Sequence, residues 1–296
     1  MTANIIPAVA TASYDLTVDL EDMRPALDKL VSEVLDTALS GAMFRRALAA
    51  GMDDIASVMR AVPAAEGRLL ERGISFLAKR NPDLVVLTDN LRLPVTKAAA
   101  ELVAMNDVAL VKSLSLDADS GGRKSYTPDL LIINRSTKLG HLVDVKRSLS
   151  SYEVSRITEL KNRMLAAALV VPDLLYKEHR RLHVEEVRVV ILNAENQRTD
   201  IDGGVWPLTH LDHLLEIMGA GDVMAHLRDL FQRRVEANWM SALNDHRLDT
   251  APTLQTPSRD PGEGDVVRRR PREDQSSVSR APVSIGFARA PGIARA

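Results

Sequence analysis

Residues 187–192 read Val-Arg-Val-Val-Ile-Leu, a strand-length run in which apolar side chains do not alternate with polar ones. A strand with one wet face shows a period of two, so a run like this one must be covered on both faces. That requires a sheet lying between helical layers, and the patterns on either side supply the helices. Across residues 22–60, Leu27, Leu30, Val31, Val34, Leu35 and Ala38 recur at spacings of three and four, with Gly41 and Gly51 as punctuation. Pro63 suits a first helical turn, and the stripe of Leu69, Leu70, Ile74 and Leu77 stops at Asn81-Pro82. A short strand over 84–88 and a helix over 95–105 follow. The period then changes to strands at 109–116, 130–133 and 142–145. A turn-like stretch at 117–122 and a hairpin loop at 134–140 separate them. Val154, Ile157, Leu160, Met164, Leu165 and Ala168 put a helix over 152–169. The order of helix, three strands, helix and strand predicts an α/β fold, a mixed sheet flanked by helices.

After Asn193 the chain turns through Asp202-Gly203-Gly204 into helices near 209–218 and 221–244. From Ala251 onward Pro, Arg, Ser and Gly dominate, with eight Arg and no Lys against five acidic residues. Such a segment cannot repay the entropy of ordering, so a disordered basic tail is expected. Four regions result: an N-terminal helical region (1–62), a core (63–195), a C-terminal helical region (196–250) and the tail (251–296).

Composition excludes several classes. The 296 residues include no cysteine, which removes disulfide scaffolds, thiolate metal sites and cysteine nucleophiles. Aromatic content of 3% argues against base stacking as the main binding device. No Gly-rich loop ending in Gly-Lys-Ser/Thr and no Gly-x-Ser-x-Gly occurs. No basic segment followed by a long apolar run opens the chain, and no membrane-length apolar run of about 18 residues appears. A cytoplasmic protein without membrane contact is the expectation.

Chemistry concentrates between Pro128 and Lys146. Pro128-Asp129 precedes one apolar run, and Asp144-Val145-Lys146 ends the next. Strand side chains alternate, so Asp144 and Lys146 share a face. With a loop over 135–140 and Asn134 paired with His141, antiparallel counting sets Asp129 opposite Lys146 and Leu131 opposite Asp144. Diagonal neighbours on one face lie roughly 7–8 Å apart, so the three charged groups converge. Two carboxylates can hold Mg²⁺ or Mn²⁺, with the Val145 carbonyl as a further oxygen ligand, while a lysine orients water or stabilises developing charge. Pro82-Asp83 and Pro172-Asp173 are followed by no such triplet.

Asp129, Asp144 and Lys146 in this order of elements resemble the PD-(D/E)XK nuclease superfamily, the restriction-endonuclease-like fold with an αβββαβ core. The resemblance covers roughly residues 64–193. It implies a Mg²⁺-dependent deoxyribonuclease, an endonuclease above all, with Asp129 and Asp144 as metal ligands and Lys146 as the catalytic lysine. The family often adds a glutamate from the first core helix; Glu71 is the choice here and Glu66 the alternative. The insertion over 81–107 would separate that helix from the first strand.

DNA is the implied partner. Arg123 and Lys124, after two glycines, and Arg147, after the catalytic lysine, are candidate phosphate contacts. Tyr152, Arg156, Lys161 and Arg163 are candidates to line a strand-binding groove. His210 and His213 share a helical face but lack a third ligand, and Thr209 reads as an N-cap. The helical regions suit a protein partner, and a homodimer is compatible with the chain. Two other functions fit the same residues: a nuclease-fold module that binds DNA or protein without cutting, and a secreted or interaction effector that uses the tail.

Overall fold

The computed structural model describes residues 14–88, 91–106, 110, 114–119, 124–179 and 182–250. In chain order these form β1 (Leu16–Thr17), α1 (Leu20–Ala38), α2 (Gly41–Ala50), α3 (Met52–Ala78), β2 (Leu84–Leu87), β3 (Leu93–Val95), α4 (Lys97–Met105), β4 (Lys124–Tyr126), β5 (Leu130–Asn134), β6 (Leu139–Lys146), α5 (Val154–Ala168), α6 (Val171–Glu178), β7 (Glu186–Asn193), β8 (Val205–Pro207), a 3₁₀ turn (Leu208–His210), α7 (Leu211–Leu215), β9 (Ile217–Met218) and α8 (Ala220–Thr250). Local chemistry starts several of the helices. Asp19 accepts from the Glu21 amide, Ser40 from Met43 and Thr96 from Ala99, each supplying a partner for an amide that has none within its helix.

Five strands form the main sheet in the order β2-β5-β6-β7-β8. The β2/β5 and β5/β6 pairs are antiparallel, while β6/β7 and β7/β8 are parallel. The sheet is therefore mixed, and helices cover both faces. On one face Leu130, Ile132, Val143, Val145, Val190 and Leu192 join a core with Leu27 and Val31 of α1, Phe44 of α2, Leu70 and Ile74 of α3, and Val223, Leu227 and Phe231 of α8. On the other face Leu131, Ile133, Leu142 and Ile191 pack with Met164 and Ala167 of α5 and Leu174 and Leu175 of α6. The sheet thus divides its residues by parity between two cores. Each fully buried Leu, Ile or Val contributes roughly 1.5–3 kcal/mol, which makes the central strands the most strongly held part of the sheet.

Four expectations are corrected. Pro63 does not open a helix: α3 runs through it, so the boundary at 62/63 falls inside one continuous helix. Proline removes one backbone hydrogen bond there, and the apolar face on both sides of it, with Val58, Ala65 and Leu69 buried in one core, holds the helix together. The N- and C-terminal helical regions are likewise not appendages, since α1, α2 and α8 share that core with α3 and the sheet. The first strand of the main sheet is β2, directly after α3; residues 114–119 form no strand and Leu110 is helical. The inserted segment, which carries β3, α4 and β4, accordingly follows the first strand rather than preceding it.

The fourth correction concerns register. Asn134 pairs with Leu139 instead of His141, a shift of two residues. Its side-chain oxygen accepts from the amides of Ser136 and Thr137, and Lys138 takes a left-handed conformation (φ 56°). These features close a four-residue turn where six had been counted. A shift of two preserves side-chain parity, so the same residues still share a face.

Thr209 lies within the 3₁₀ turn and does not cap a helix with its side chain. The Asp212 carboxylate instead accepts from the amides of Gly219 and Gly221 at the entry to α8. Among the described residues no helix is long and apolar enough to cross a membrane. The tail from 251 lies outside the described residues.

Candidate active site

Pro128 ends the approach to β5, and Asp129 stands one residue before the first ladder pair, Leu130 with Val143. Carrying the register one step further sets Asp129 directly opposite Asp144. No ladder bond closes this pair; the Asp129 Oδ2 accepts from the Val145 amide at 2.6 Å. In an extended strand the N–H and C=O of one residue point to the same side, so the Val145 carbonyl also faces the end of β5. Its side chain lies in the opposite core.

Asp144 is 5% exposed; its Oδ2 is hydrogen-bonded, while its Oδ1 is buried without a hydrogen-bond partner and faces a cation. The Tyr126 hydroxyl donates to Oδ2 at 2.7 Å, and the Lys146 ammonium forms an ion pair with Oδ1. Burial alone would lower the pKa of Lys146. The charge and hydrogen bond of Asp144, with the charge of Asp129, outweigh that effect and raise it, so the side chain stays an ammonium. Burial raises the Asp129 pKa and the Asp144 charge adds to the rise; the Val145 amide and Lys146 offset part of it.

Glu71 approaches the same strand ends from α3. Burial and then the charge of Asp129 push its carboxyl up to about 7, against the opposing pull of Lys146 and Arg68. Glu66, five residues earlier, is committed elsewhere. It is 4% exposed and accepts from the Arg228 Nε at 2.6 Å, with Arg147 at 3.9 Å. A fully paired carboxylate in that position is a structural group, whereas Glu71 has no hydrogen bond or ion pair among the described residues.

The expected DNA contacts separate into two groups. Arg147 is drawn to the α3 face of the sheet, where it pairs with Glu195 at 3.3 Å as well as with Glu66. Lys161 pairs with Asp200 at 3.3 Å and Arg163 with Glu159 at 2.9 Å. Arg147 is held by buried and part-buried acids, whereas Lys161 and Arg163 pair with exposed ones; all three are less available to a phosphate than the sequence suggests. Lys124 is exposed on β4, the Arg156 side chain has no partner among the described residues, and Tyr152 lies near enough to Lys146 to act on its charge. Arg123 lies outside the described residues.

Two neighbours of the site escaped the sequence reading. Tyr126 sits on a three-residue strand too short to show a period, and Arg68 looked like an ordinary helical cation. The chain has only four tyrosines, and one of them standing three residues before Asp129 was the one available signal.

What can these groups hold? All the candidate donors are oxygens, which suits a hard divalent cation, and the upward shifts of Asp129 and Glu71 come first from burial and then from the neighbouring carboxylate charge. Among the described residues no cluster of three or more His, Cys, Asp or Glu is arranged to hold a metal in common. Two opposed aspartates would suit an ion that keeps several of its waters, the habit of Mg²⁺. His210 and His213 offer no competing site: their rings meet edge to face at 5.4 Å, and the Nδ1 of His213 bonds the Tyr14 hydroxyl at 2.9 Å.

No family model, no curated protein and no solved structure matches this chain.

Proposed function

We propose that the chain is a metal-dependent nuclease that hydrolyses DNA phosphodiester bonds, with a PD-(D/E)XK core. The observation that carries this reading is the convergence of Asp129, Asp144, Glu71 and Lys146 on the ends of the two central strands β5 and β6. The order α3, β2, β5, β6, α5, β7 supports it, since it repeats the αβββαβ order of that superfamily.

Asp129 and Asp144 would hold Mg²⁺ or Mn²⁺, with the Val145 carbonyl as a further oxygen donor and Glu71 near enough to reach the waters the ion keeps. When bound, the ion supplies charge neutralisation at the phosphoryl oxygens and a bound water of lowered pKa. For Asp144 to take part, the Lys146 ammonium must leave Oδ1. That motion would bring a cation toward the substrate phosphate, where it can orient water or stabilise the charge that builds in the transition state. Lys146 acts as a cation in this scheme, in keeping with its upward pKa shift, and not as a neutral base. The half-buried carboxyl of Glu71, poised at about 7, can accept a proton near neutral pH when no cation is bound. Arg68, Lys124 and Arg156, which have no side-chain salt bridge among the described residues, would contact backbone phosphates.

One observation favours a second reading. The Lys146 ammonium occupies the approach to Asp144 Oδ1 as an ion pair, and Tyr126 holds Oδ2, as expected of a nuclease-fold module that binds without cutting. One experiment separates the two: incubate supercoiled, linear and single-stranded DNA with the protein and Mg²⁺ or Mn²⁺, alongside Lys146→Ala and Asp129→Asn. Cleavage by the wild type, reduced roughly a hundredfold or more in both variants, supports the enzyme. Absence of cleavage in every format, together with DNA retention unchanged by the variants, supports the binding module.

A further inference from the structure

Asp144 stands where two parts of the chain meet, and the second of them comes from the inserted segment. Its backbone belongs to β6, one oxygen faces Lys146, and the other receives the hydroxyl of Tyr126 on β4. Tyr126 is 6% exposed. Its ladder partner is Leu93 of β3, itself fully buried, and both belong to the core that includes Leu131, Leu142 and Met164. The ring is thus buried in a packed core as well as hydrogen-bonded. A phenylalanine would fill the same space, so packing has no need of the hydroxyl.

We infer that Tyr126 is a positioning residue for Asp144: its hydroxyl holds the plane of the carboxylate so that Oδ1 faces the cation site shared with Asp129. This inference rests on the metal-dependent reading above. The physical reason is torsional. A buried aspartate rotates about two side-chain bonds, and a donor fixed at 2.7 Å from one oxygen removes that freedom and leaves the second oxygen aimed. The insertion between β2 and β5 then has a defined role, as the element that delivers this donor.

The test is calorimetric titration of Mn²⁺ and Mg²⁺ into wild type, Tyr126→Phe and Asp144→Asn, well below the melting temperature of each. Loss of an outer donor to a metal ligand typically weakens affinity 10–100-fold, so Tyr126→Phe should bind Mn²⁺ roughly ten times or more weakly. A purely structural hydroxyl would lower the melting temperature and leave the affinity of the folded protein unchanged. Equal affinity in wild type and Tyr126→Phe, with binding lost in Asp144→Asn, overturns the inference and leaves the nuclease reading standing. No binding by the wild type overturns both. Should Tyr126→Phe fail to fold, 3-fluorotyrosine placed at position 126 keeps the hydroxyl and reports on it. Its fluorine resonance should shift as Mg²⁺ binds, and a resonance that stays put while calorimetry records binding overturns the inference.

Discussion

Replacing Glu71 with glutamine should stabilise the metal-free protein at alkaline pH and have almost no effect in acid. Burial and the Asp129 charge raise this carboxyl to about 7. At about pH 4.5 or below, the group is protonated in both folded and unfolded chains and contributes nothing. As pH rises it ionises first in the unfolded chain, so the fold loses stability progressively, and the loss is complete above about 7. The full displacement corresponds to a ceiling of about 3 kcal/mol. Solvent reaches much of the group, so screening brings the expected cost to ~1–2 kcal/mol. Glutamine has nearly the same shape, and Glu71 has no hydrogen bond among the described residues to lose. Urea unfolding at about pH 5 and about pH 8 would measure the difference. At about pH 8, Glu71→Gln should gain ~1–2 kcal/mol, worth roughly 3–6 °C in melting temperature for a domain of this size, and at about pH 5 much less. Millimolar Mg²⁺ should narrow the gap by stabilising the wild type more than the variant. A gain of equal size at both pH values, or a loss at about pH 8, would refute the argument that Glu71 is held charged at a cost.

Two further outcomes follow from buried charges away from the strand ends. Glu66→Ala should lower stability by ~3–5 kcal/mol in denaturant titration, because Arg228, with its side chain only 18% exposed, loses its 2.6 Å partner; a change below about 1 kcal/mol would show that Arg228 finds solvent instead. His141 is driven down to about 4 by burial, assisted by Arg188, so it stays neutral in the fold while the unfolded chain takes up a proton below about 6.5. Stability should therefore fall between about 6.5 and 4, by up to ~3 kcal/mol, and His141→Leu should flatten that slope in urea midpoints measured across the range.

Several elements were legible because they depend on short-range periodicity. The stripe of Leu69, Leu70, Ile74 and Leu77 marked α3, and the spacing from Val154 to Ala168 marked α5 within two residues of its ends. The nearly all-apolar run at 187–192 foretold burial on both faces, and apart from the exposed Arg188 β7 divides its side chains between two cores. Other features were hidden because their cause is distant in sequence. Pro63 signals a helix start unless a neighbouring helix holds the chain straight through it. Leu84–Leu87 became the first strand of the main sheet because β5 was there to pair with it, and four residues carry too little pattern to announce that. Arg147 looked available for phosphate until Glu66 and Glu195 arrived beside it from α3 and the end of β7.

The candidate site divides along the same line. That Asp129, Asp144 and Lys146 lie on one sheet face follows from the two-residue period of a strand, and the two-residue error in register left that parity untouched. Which residues oppose each other depended on the turn, where the Asn134 side chain and the left-handed Lys138 shortened the loop. From the sequence Glu71 was the choice and Glu66 the alternative, but nothing local gave either glutamate a partner. Only the packing of α8 against α3 brought Arg228 to Glu66 and left Glu71 unpaired near Asp129. Tyr126 had no sequence signal strong enough to use, since its role arises where an inserted strand meets the end of β6. Local sequence sets which face a side chain takes, because that is a property of the backbone period. Which partner it meets there is a property of the tertiary structure, because charges and hydrogen bonds act between elements that the chain brings together only on folding.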